Sequence, residues 1–464
     1  MKELVILEYE IAKLNMAFHE YVAPHAELLG SYFDADGEAL REVRDACMYS
    51  IGERLPVPPP LVPTALTKRL KGLHQAFRSG LNHVYENRMD ASWERLADEL
   101  RLDGPSNRYI RASRRPRWAH VGRPDVVIHG DVVTMVEPNV GTSCGGMPDA
   151  DLLARIFMEA PVIGDFLRGI GATPGDAIGP IASLIRAEMK GQATEPDGLV
   201  VVIERQEELA NPGFYHCTML ARELRRHGIK AEAAAVEDLE VAEDAVTFQR
   251  QKVAVVYRMC GEQPDPVGLY PKLAPLIDSA ADGNVSLLDD LGDQIAGNKT
   301  ILAVLSEEVD AGRVPEPTAT LLRSFIPWSR ILSDTKSLID GSSVDLLAWC
   351  EAQQQDLVLK PGTGFQGRGV TIGCEVDPAQ WREVIESAIS SSEAWLVQRL
   401  VRTKPTRIAI SRSGTLTHEE NFVDYGYYVA GDAIGIAGIR KSAPFGKMTR
   451  KVKPPVFAPL FFVQ

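Results

Sequence analysis

The chain has 464 residues, 45% of them hydrophobic, and can therefore bury a large core divided among about two or three structural units. Its 63 acidic and 50 basic residues give a formal net charge of −13, which argues against general binding to nucleic acid or to an anionic membrane. The six cysteines show no close pairing or metal-ligand spacing, and no apolar run approaches the roughly eighteen residues of a membrane span, so a cytoplasmic protein is expected.

Residues 1–115 are predicted to be mainly helical. The apolar residues that recur at three- and four-residue spacing near the start are Leu4, Leu7, Ile11, Leu14 and Phe18. A proline-rich connector, PVPPPLVP, interrupts this pattern, and further helix is expected to about residue 102.

Residues 116–197 are predicted to open with a β-hairpin. The two short strands are VGRPDVVI and DVVTMVEPNV, and a tight turn of His129, Gly130 and Asp131 joins them. Residues 198–285 show a different pattern. A strand, a helix and two further strands are predicted there, at GLVVVIE, around CTMLARELRRHG, at AEAAAV and at KVAVVYR, and this spacing is typical of an α/β layer.

Residues 286–464 are predicted to begin with a helical run from Asn298 through Leu305. Mixed helix and strand lead to a glycine-rich stretch, a helix follows near residues 378–390, and the end of the chain is rich in β-strand. The chain contains no internal repeat and no low-complexity tail.

The segment LVLKPGTGFQGRGVTIG, residues 357–373, carries five glycines, four of them between two apolar runs. Glycines let a backbone approach a phosphate closely, so nucleotide binding is the first hypothesis. A P-loop is excluded because its lysine follows the glycines and a helix comes next, whereas Lys360 precedes the glycines and a strand follows. A dinucleotide fingerprint also lacks its helix, and a protein kinase is a weak fit because no HRD or DFG tripeptide follows.

The remaining interpretation is a strand, a glycine hairpin and a return strand that folds over a nucleotide as a lid. Lys360 would stand at the end of the first strand, held extended by Pro361. A surface hairpin without a ligand stays open as the alternative.

The earlier hairpin carries four polar residues, Arg123, Asp125, Glu137 and Asn139. With a three-residue loop, Ile128 faces Val132, Arg123 lies directly opposite Glu137, and all four polar residues share one face. A two-residue loop would turn Glu137 to the other side.

Two carboxylates and an amide oxygen are hard ligands of the kind that Mg²⁺ takes, and an arginine beside them can neutralise a phosphoryl group in transfer. The alternative is an ordinary solvated face with a cross-strand ion pair.

The order of these motifs resembles that of circularly permuted ATP-grasp enzymes, and in particular the synthetase part of glutathionylspermidine synthases. The matching segments are RPD at 123–125, EPN at 137–139, GNKTILAVL at 297–305, VLKPGTGFQGRG at 358–369, WLVQRLV at 395–401 and GIRKS at 438–442. The resemblance implies an α/β protein with α+β character. Its ATP-grasp fold would be circularly permuted, with a helical N-terminal region, a Rossmann-like layer over residues 198–285 and a nucleotide-binding region with a glycine lid over residues 286–464.

In such enzymes ATP lies between two β-layers, an acyl phosphate forms on a carboxylate, and an amine attacks it. The resemblance implies that Asp125, Glu137 and Asn139 hold Mg²⁺ and that Arg123 faces the γ-phosphoryl group. The implied ATP contacts are Lys299, Lys360, Gly364, Gly367, Gly369 and the segment around Gln398 beside the adenine. Ser143, in the loop after the metal pair, and Arg440 are the implied substrate contacts, and Arg440 would meet either a phosphate or a substrate carboxylate.

The sequence also departs from the family pattern. The text after Asn139 is VGTSCGG, whereas family members usually continue with a charged residue and Thr-Pro, so glutathione and spermidine are not assumed as substrates. No amidase half is recognisable, Cys144 is better explained as a packed thiol than as a nucleophile, and Lys299 within a helix could equally be a solvated side chain.

The function expected from the resemblance is an ATP-dependent ligase that joins a carboxylate to an amine, with amino acids or small peptides as substrates. Its partners would then be small molecules, with no nucleic acid and no membrane, and a homodimer is left open. The alternatives are an ATP-dependent phosphotransferase acting on a small molecule and a nucleotide-binding protein without catalytic activity.

Overall fold

A computed structural model describes most of the chain. The described residues are 7–34, 36–45, 55–102, 121–141, 146–191, 198–210, 216–260, 269–288, 293–364, 367–412, 414–431, 433–442 and 457–464. Within them helices and strands are mixed, as the predicted α/β class requires.

Helices predominate among the described residues between 7 and 102. In chain order the elements are α1 (Leu7–Val22), α2 (Ala26–Tyr32), α3 (Arg41–Asp45), β1 (Leu55–Pro56), β2 (Leu61–Pro63), α4 (Ala65–His83) and α5 (Trp93–Glu99). Leu7, Ile11 and Phe18 lie on the buried side of α1. The proline-rich connector is partly strand, because its two ends form β1 and β2.

The polar hairpin comes next and is followed by a helical segment. Its elements are β3 (Val121–Gly122), β4 (Asp125–His129), β5 (Val132–Glu137), α6 (Met147–Glu159), α7 (Ile163–Gly169), β6 (Thr173–Pro174) and α8 (Ile178–Gly191).

The predicted α/β layer forms a six-stranded sheet. Its elements are β7 (Leu199–Glu204), α9 (Gln206–Leu209), α10 (His216–Arg226), β8 (Ala231–Ala235), β9 (Glu240–Val241), β10 (Val246–Phe248), β11 (Gln251–Arg258), α11 (Leu269–Ala281) and β12 (Ser286–Leu288). The strands β8, β7, β11 and β12 are parallel neighbours. Every residue of β7 is buried, as expected for a parallel strand covered on both faces.

A four-stranded antiparallel sheet, hereafter the small sheet, carries the glycine-rich stretch. Its region contains α12 (Asp293–Gly297), α13 (Ile301–Asp310), α14 (Thr318–Phe325), β13 (Ser329–Ile331), β14 (Lys336–Ile339), β15 (Ser342–Asp345), α15 (Leu346–Ala352), β16 (Leu357–Pro361), β17 (Thr371–Ile372), α16 (Pro378–Ile389) and β18 (Trp395–Arg399). The strand order is β13, β18, β16, β17. Leu357, Leu359 and Val397 pack with Trp381 of α16 in one apolar cluster, so the alternate residues of β16 and β18 face the opposite side.

An eight-stranded sheet, hereafter the large sheet, joins the end of the chain to the early hairpin. The C-terminal strands are β19 (Thr406–Arg412), β20 (Thr415–Ala430), β21 (Ala433–Ser442), β22 (Phe457–Pro459) and β23 (Phe461–Val463). The long strand β20 pairs with β19, β21, β3 and β4, and β5 pairs with β4. The polar hairpin is therefore built onto β20, which lies almost three hundred residues later in the chain.

No helix in the described ranges combines the length and the apolar composition that crossing a bilayer would need. The borders of the four predicted regions, residues 1–115, 116–197, 198–285 and 286–464, stay a prediction.

Candidate functional site

The polar hairpin turns through two residues, Gly130 and Asp131, so the predicted three-residue loop is wrong. Ile128 pairs with Val133 and not with Val132. Two-residue loops are the commonest hairpin connections, because the twist of their turns matches the twist of the strands. The pairing of Arg123 with Glu137, which was predicted from the longer loop, is wrong as well.

A β-bulge nevertheless brings the two acidic side chains together. Val126 pairs with Met135, but Asp125 pairs with Glu137, so Val136 is an extra residue in β5. The bulge cancels the effect of the shorter loop. As a result Asp125, and not Arg123, lies directly opposite Glu137.

Asp125 is the centre of a polar cluster at the base of the hairpin. It is only 2% exposed, and its two carboxylate oxygens have different partners. Arg123 Nε donates to Asp125 Oδ1 over 3.3 Å, and Asn139 Nδ2 donates to Asp125 Oδ2 over 2.9 Å. The backbone N–H of Arg123 also donates to the carbonyl of Asn139 over 2.8 Å. The structure thus brings three of the four predicted hairpin residues into direct contact.

Lys299 links this hairpin to the glycine-rich stretch. It precedes α13, which begins at Ile301, so the prediction that it lies inside a helix is wrong. Its Nζ lies 3.1 Å from Glu137 Oε1 and also donates to the carbonyl of Gly364. Its backbone N–H donates to the carbonyl of Gly362 over 2.9 Å. Because these contacts hold Lys299 outside the helix, its ammonium can reach both hairpins at once.

Lys360 approaches the polar hairpin from the end of β16. Its Nζ donates to the carbonyl of Val136 over 2.9 Å and to Gln398 Oε1 over 2.8 Å. Burial lowers the pKa of Lys360 to about 8, and the positive charge of Lys299 adds to this, while the negative charges of Glu137 and Asp424 oppose it. The lysine therefore changes charge just above neutral pH.

The glycine-rich stretch forms the expected strand, loop and return strand. β16 and β17 are antiparallel, with Val358 opposite Ile372 and Leu359 opposite Thr371. Gly364, Gly367 and Gly369 all have positive φ, a conformation that glycine adopts without the steric cost of a side chain. These are the three glycines that were expected at the nucleotide.

Gln398 has a different environment from the one expected. Its side chain is 1% exposed, accepts from Lys360 and donates through Nε2 to Ser329 Oγ over 3.1 Å. The amide therefore orients Lys360, while the backbone that follows it, residues 399–401, lines the cleft between the two sheets. Its assignment to the adenine stays a prediction.

A single cleft lies between the polar hairpin and the small sheet, with a volume of about 90 Å³. Its charged lining residues include Asp125, Glu137, Lys299, Lys360 and Asp424. Apolar residues also line it, namely Val127, Val136, Val358, Val370, Leu400 and Val401.

The side-chain positions of two predicted substrate residues are not described. Ser143 lies outside the described residues. Arg440 is on β21, where its backbone pairs with that of Asp424. The roles of both in substrate binding stay predictions.

Asp424, which lines the cleft, is the residue that the sequence reading missed. The available signal was one carboxylate inside the apolar strand NFVDYGYYV. Nothing in the sequence says that this strand pairs with the polar hairpin.

The donor set of the polar hairpin fits Mg²⁺, because carboxylate and amide oxygens are the hard ligands that this ion takes. In the described residues, the only three His, Cys, Asp or Glu side chains whose ligand atoms lie within 4.8 Å of one another are Asp151, Asp176 and His227, outside the cleft. Both of these carboxylates accept backbone N–H groups at the start of α8, which explains their position without a metal.

A small sheet with a glycine hairpin that faces a charged hairpin of a large sheet is the arrangement of a circularly permuted ATP-grasp protein. Residues 179–398 match the family model described as "A circularly permuted ATPgrasp". The match covers 220 of the 464 residues, and it agrees with the family that the motif order predicted.

The chain is similar to several known proteins. A glutathione synthetase-like effector from Globodera pallida has a TM-score of 0.51 and 12% identity, covering 92% of this chain and 96% of that one, which supports the fold alone. A Frankia alni protein named "Putative glutamate–cysteine ligase 2-3" is 27% identical over 209 residues, or 42% of this chain. An uncharacterised protein of Mycobacterium tuberculosis is 25% identical over 236 residues, or 48% of this chain. These two matches span only 22% and 39% of the relatives' own lengths.

Proposed function

We propose that the protein is an ATP-dependent ligase that joins a carboxylate to an amine through an acyl phosphate. The observation that carries the proposal is the meeting of two lysines with the acidic hairpin: Lys299 Nζ lies 3.1 Å from Glu137, and Lys360 Nζ binds the carbonyl of the neighbouring Val136. Lys360 of the small sheet, Lys299 before α13 and the carboxylates of the polar hairpin thus line one cleft, as a triphosphate and its metal require. The match to a circularly permuted ATP-grasp family model and the likeness to a protein named as a ligase support the same class of reaction.

The lining of the cleft supports a proposed orientation of the nucleotide. The phosphates would lie beside Lys299 and Lys360, and the base would pack against apolar residues such as Val358 and Leu400. Asp125, Glu137 and Asn139 would hold Mg²⁺, which would supply positive charge to the phosphates.

The side chains of the cleft would then act mainly by positioning and by charge. Lys299 and Lys360 would exchange their present protein partners for phosphate oxygens, because a charge-assisted contact to a phosphate is stronger than one to a neutral carbonyl. Arg123, held by Asp125, would face the γ-phosphoryl group and the intermediate that follows it.

The glycine hairpin has to move for this to happen. A cleft of about 90 Å³ is smaller than the roughly 300 Å³ at which ligand pockets begin, so we expect the loop around Gly364 to lift and then close over the nucleotide. Positive φ at Gly364, Gly367 and Gly369 leaves room for backbone N–H groups to turn toward phosphate. A closed loop would also keep water away from an acyl phosphate.

For the substrates we propose amino acids or small peptides. The support is the printed name of the Frankia alni relative, a glutamate–cysteine ligase, of which this chain spans only 22%. Ser143 and Arg440 are proposed substrate contacts on the motif order alone.

The proposal is tested by incubating the protein with ATP, Mg²⁺ and pools of amino acids and amines, with Asp125→Asn as the control. The expected result by mass spectrometry is ADP together with a product lighter by one water than its two precursors. If ADP forms without any amine and a phosphorylated product appears, the protein is a phosphotransferase and not a ligase. If calorimetry shows nucleotide binding but no pool supports turnover, the protein is a nucleotide-binding protein without catalytic activity.

A further inference from the structure

The exposed side of α1 carries a row of apolar residues. In the described residues, four of the nine large hydrophobic side chains that are exposed lie between residues 9 and 28. Two of them, Tyr9 and Met16, are 66% and 58% exposed and lie seven residues apart, so they share one side of the helix. Ala12, on the same side, is exposed as well. Single exposed apolar residues are common, but a row of them on one face is typical of an interaction surface.

Two opposite charges flank Met16 on the same side of α1. Lys13 and Glu20 are both exposed. They are seven residues apart, a separation of about 10 Å along the helix axis, which is too long for an ion pair within the helix. Neither has an ion-pair partner in the part of the chain that the structure describes. The helix thus presents an apolar row with a cation on one side of Met16 and an anion on the other.

A second copy of α1, packed antiparallel against the first, would pair these charges. With a two-fold axis beside Met16, Lys13 and Glu20 each lie about 5 Å from the axis, in opposite directions along the helix. Lys13 of one subunit therefore comes opposite Glu20 of the partner subunit, and the same pair forms again across the axis. With about 3.6 residues per turn, both charges lie on the same side of the apolar row, so the pairs form without crossing it. A parallel arrangement would set each charge against its own copy, and like charges repel.

α1 is held firmly, so it can present this side without rearrangement. Near its start the backbone N–H of Glu8 donates to the carbonyl of Gly130 over 3.0 Å, and Glu8 Oε2 accepts from the N–H of Gly130 over 2.7 Å. In its middle, the Asn15 side chain accepts from the N–H of Leu61 over 2.9 Å and donates to the carbonyl of Leu61 over 2.8 Å. A surface that is ordered before association loses less entropy on binding.

We propose that this side of α1, hereafter the α1 face, is the interface of a two-fold homodimer. The residues of the α1 face are Tyr9, Ala12, Lys13, Met16 and Glu20. The partner is a second copy of this chain, because the charges of the α1 face complement one another under two-fold symmetry. A partner with charge of a single sign would leave one of the two charges unpaired. The dimer is independent of the proposed ligase reaction.

The test begins with sedimentation velocity of the whole chain over a concentration series from about 1 to 100 μM. The chain has a mass of 50.9 kDa, and we expect a species of twice that mass to grow in with concentration. The dissociation constant should lie in roughly the micromolar range, as is typical of a small interface. A chain that stays monomeric over the whole series would overturn the proposal.

Charge reversal then tests the antiparallel register. Lys13→Glu should weaken the dimer at least about tenfold, because it sets like charges against each other at two places, and Glu20→Lys should do the same. The double variant restores both pairs with their signs exchanged, so its dissociation constant should return to within about threefold of the original. If both single variants weaken the dimer and the double variant does not recover, the pairing of Lys13 with Glu20 is wrong and the proposal fails.

A charge at the axis tests the apolar row. Met16→Glu brings two negative charges together beside the two-fold axis and should abolish the dimer. Leu321→Glu, on the exposed side of α14, makes the same kind of change elsewhere and should leave the dimer intact. A dimer that is insensitive to Met16→Glu uses another surface, which also overturns the proposal. Circular dichroism checks that each variant is folded, and should Met16→Glu unfold, the charge reversals decide, because they exchange exposed polar side chains only.

Discussion

Two β-hairpins meet at the cleft, and they are held in opposite ways. The polar hairpin of β4 and β5 is fixed by side chains: Asp125 is buried between Arg123 and Asn139, and both strands belong to the large sheet. The glycine hairpin of β16 and β17 is shaped by backbone conformation, and the described part of its loop is held by Lys299 at Gly364 and by Glu393 at Thr363.

The two hairpins should therefore contribute to the same site in different ways. Side chains buried in a sheet are ordered before a ligand arrives, which is what stabilisation of a transition state needs. A glycine loop with few side-chain contacts opens at low cost, which suits the entry and release of a nucleotide. Damage to the polar hairpin should therefore lower turnover, whereas damage around the glycine hairpin should mainly change nucleotide affinity.

The largest effect is expected from Asp125→Asn in the polar hairpin. The change removes a proposed metal ligand and the negative partner of Arg123, and we expect ADP release to fall by about a hundred- to a thousandfold. ATP affinity should change much less. Steady-state ADP release over a Mg²⁺ titration measures the effect, with Asp131→Asn at the exposed turn as the control. Turnover near that of the unchanged protein would remove Asp125 from the mechanism.

The next largest effect is expected from Lys360→Ala. Loss of a charge-assisted contact should weaken ATP binding by about 1.5 to 3 kcal/mol, or roughly ten- to more than a hundredfold. Calorimetric titration with ATP measures it. Unchanged ATP affinity would contradict the assignment of this lysine to the nucleotide.

The pH dependence of ATP binding sharpens the assignment of Lys360. Its pKa is lowered to about 8, so the ammonium is present below that pH and is lost as pH rises through it. ATP affinity should accordingly fall between about pH 7 and pH 9. Lys360→Arg, whose guanidinium stays charged, should bind ATP with little change over the same range. If ATP affinity had the same pH profile in Lys360→Arg and in the unchanged protein, a group other than Lys360 would be responsible for the titration.

A smaller effect, of about 1 kcal/mol or fivefold in ATP affinity, is expected from Gln398→Leu. The side chain orients Lys360, so ATP and GTP should be weakened equally, and the change should add little to Lys360→Ala. A Gln398 that reads the base would instead alter the ratio of ATP to GTP affinity and would act independently of Lys360. Ser329→Ala, which removes the other partner of Gln398, is the matched control.

The same two hairpins show how far sequence reasoning reaches. The glycine hairpin and its lysine were predicted correctly because glycine spacing and an Lys-Pro strand end are local signals. The polar hairpin was predicted with the right residues but the wrong register. Its bulge at Val136 compensates for a two-residue turn, and no local pattern marks an extra residue in a strand.

Residues that depend on distant pairing were the hardest to predict. Lys299 was assigned to a helix because the apolar spacing from Ile301 onward extends back over it, whereas its backbone bond to Gly362 excludes it from that helix. Asp424 was overlooked because its strand, β20, pairs with β4 of the polar hairpin from about three hundred residues away in sequence.

The smallest effect is expected from Gly426→Ala, which tests whether side-chain order in the polar hairpin matters for turnover. Gly426 lies opposite Asp125, and a Cβ there would come within 2.9 Å of Arg123 Cδ. The flexible arginine can shift by a few tenths of an ångström, which lengthens its 3.3 Å contact with Asp125 without unfolding the sheet. We expect turnover to fall by about two- to threefold, less than the value of one hydrogen bond, with ATP affinity unchanged.

Gly72→Ala is the matched control for this change, because a Cβ at that helical position meets nothing within 4 Å and should stabilise the fold slightly. Comparison of kcat and of ATP affinity in the two variants separates arginine position from general stability. If Gly426→Ala lowers ATP affinity as much as turnover, Arg123 acts on the bound nucleotide as a whole, and the division of labour between the two hairpins is not the one their contacts indicate. If kcat alone falls, the order imposed on Arg123 by the large sheet contributes to the chemical step.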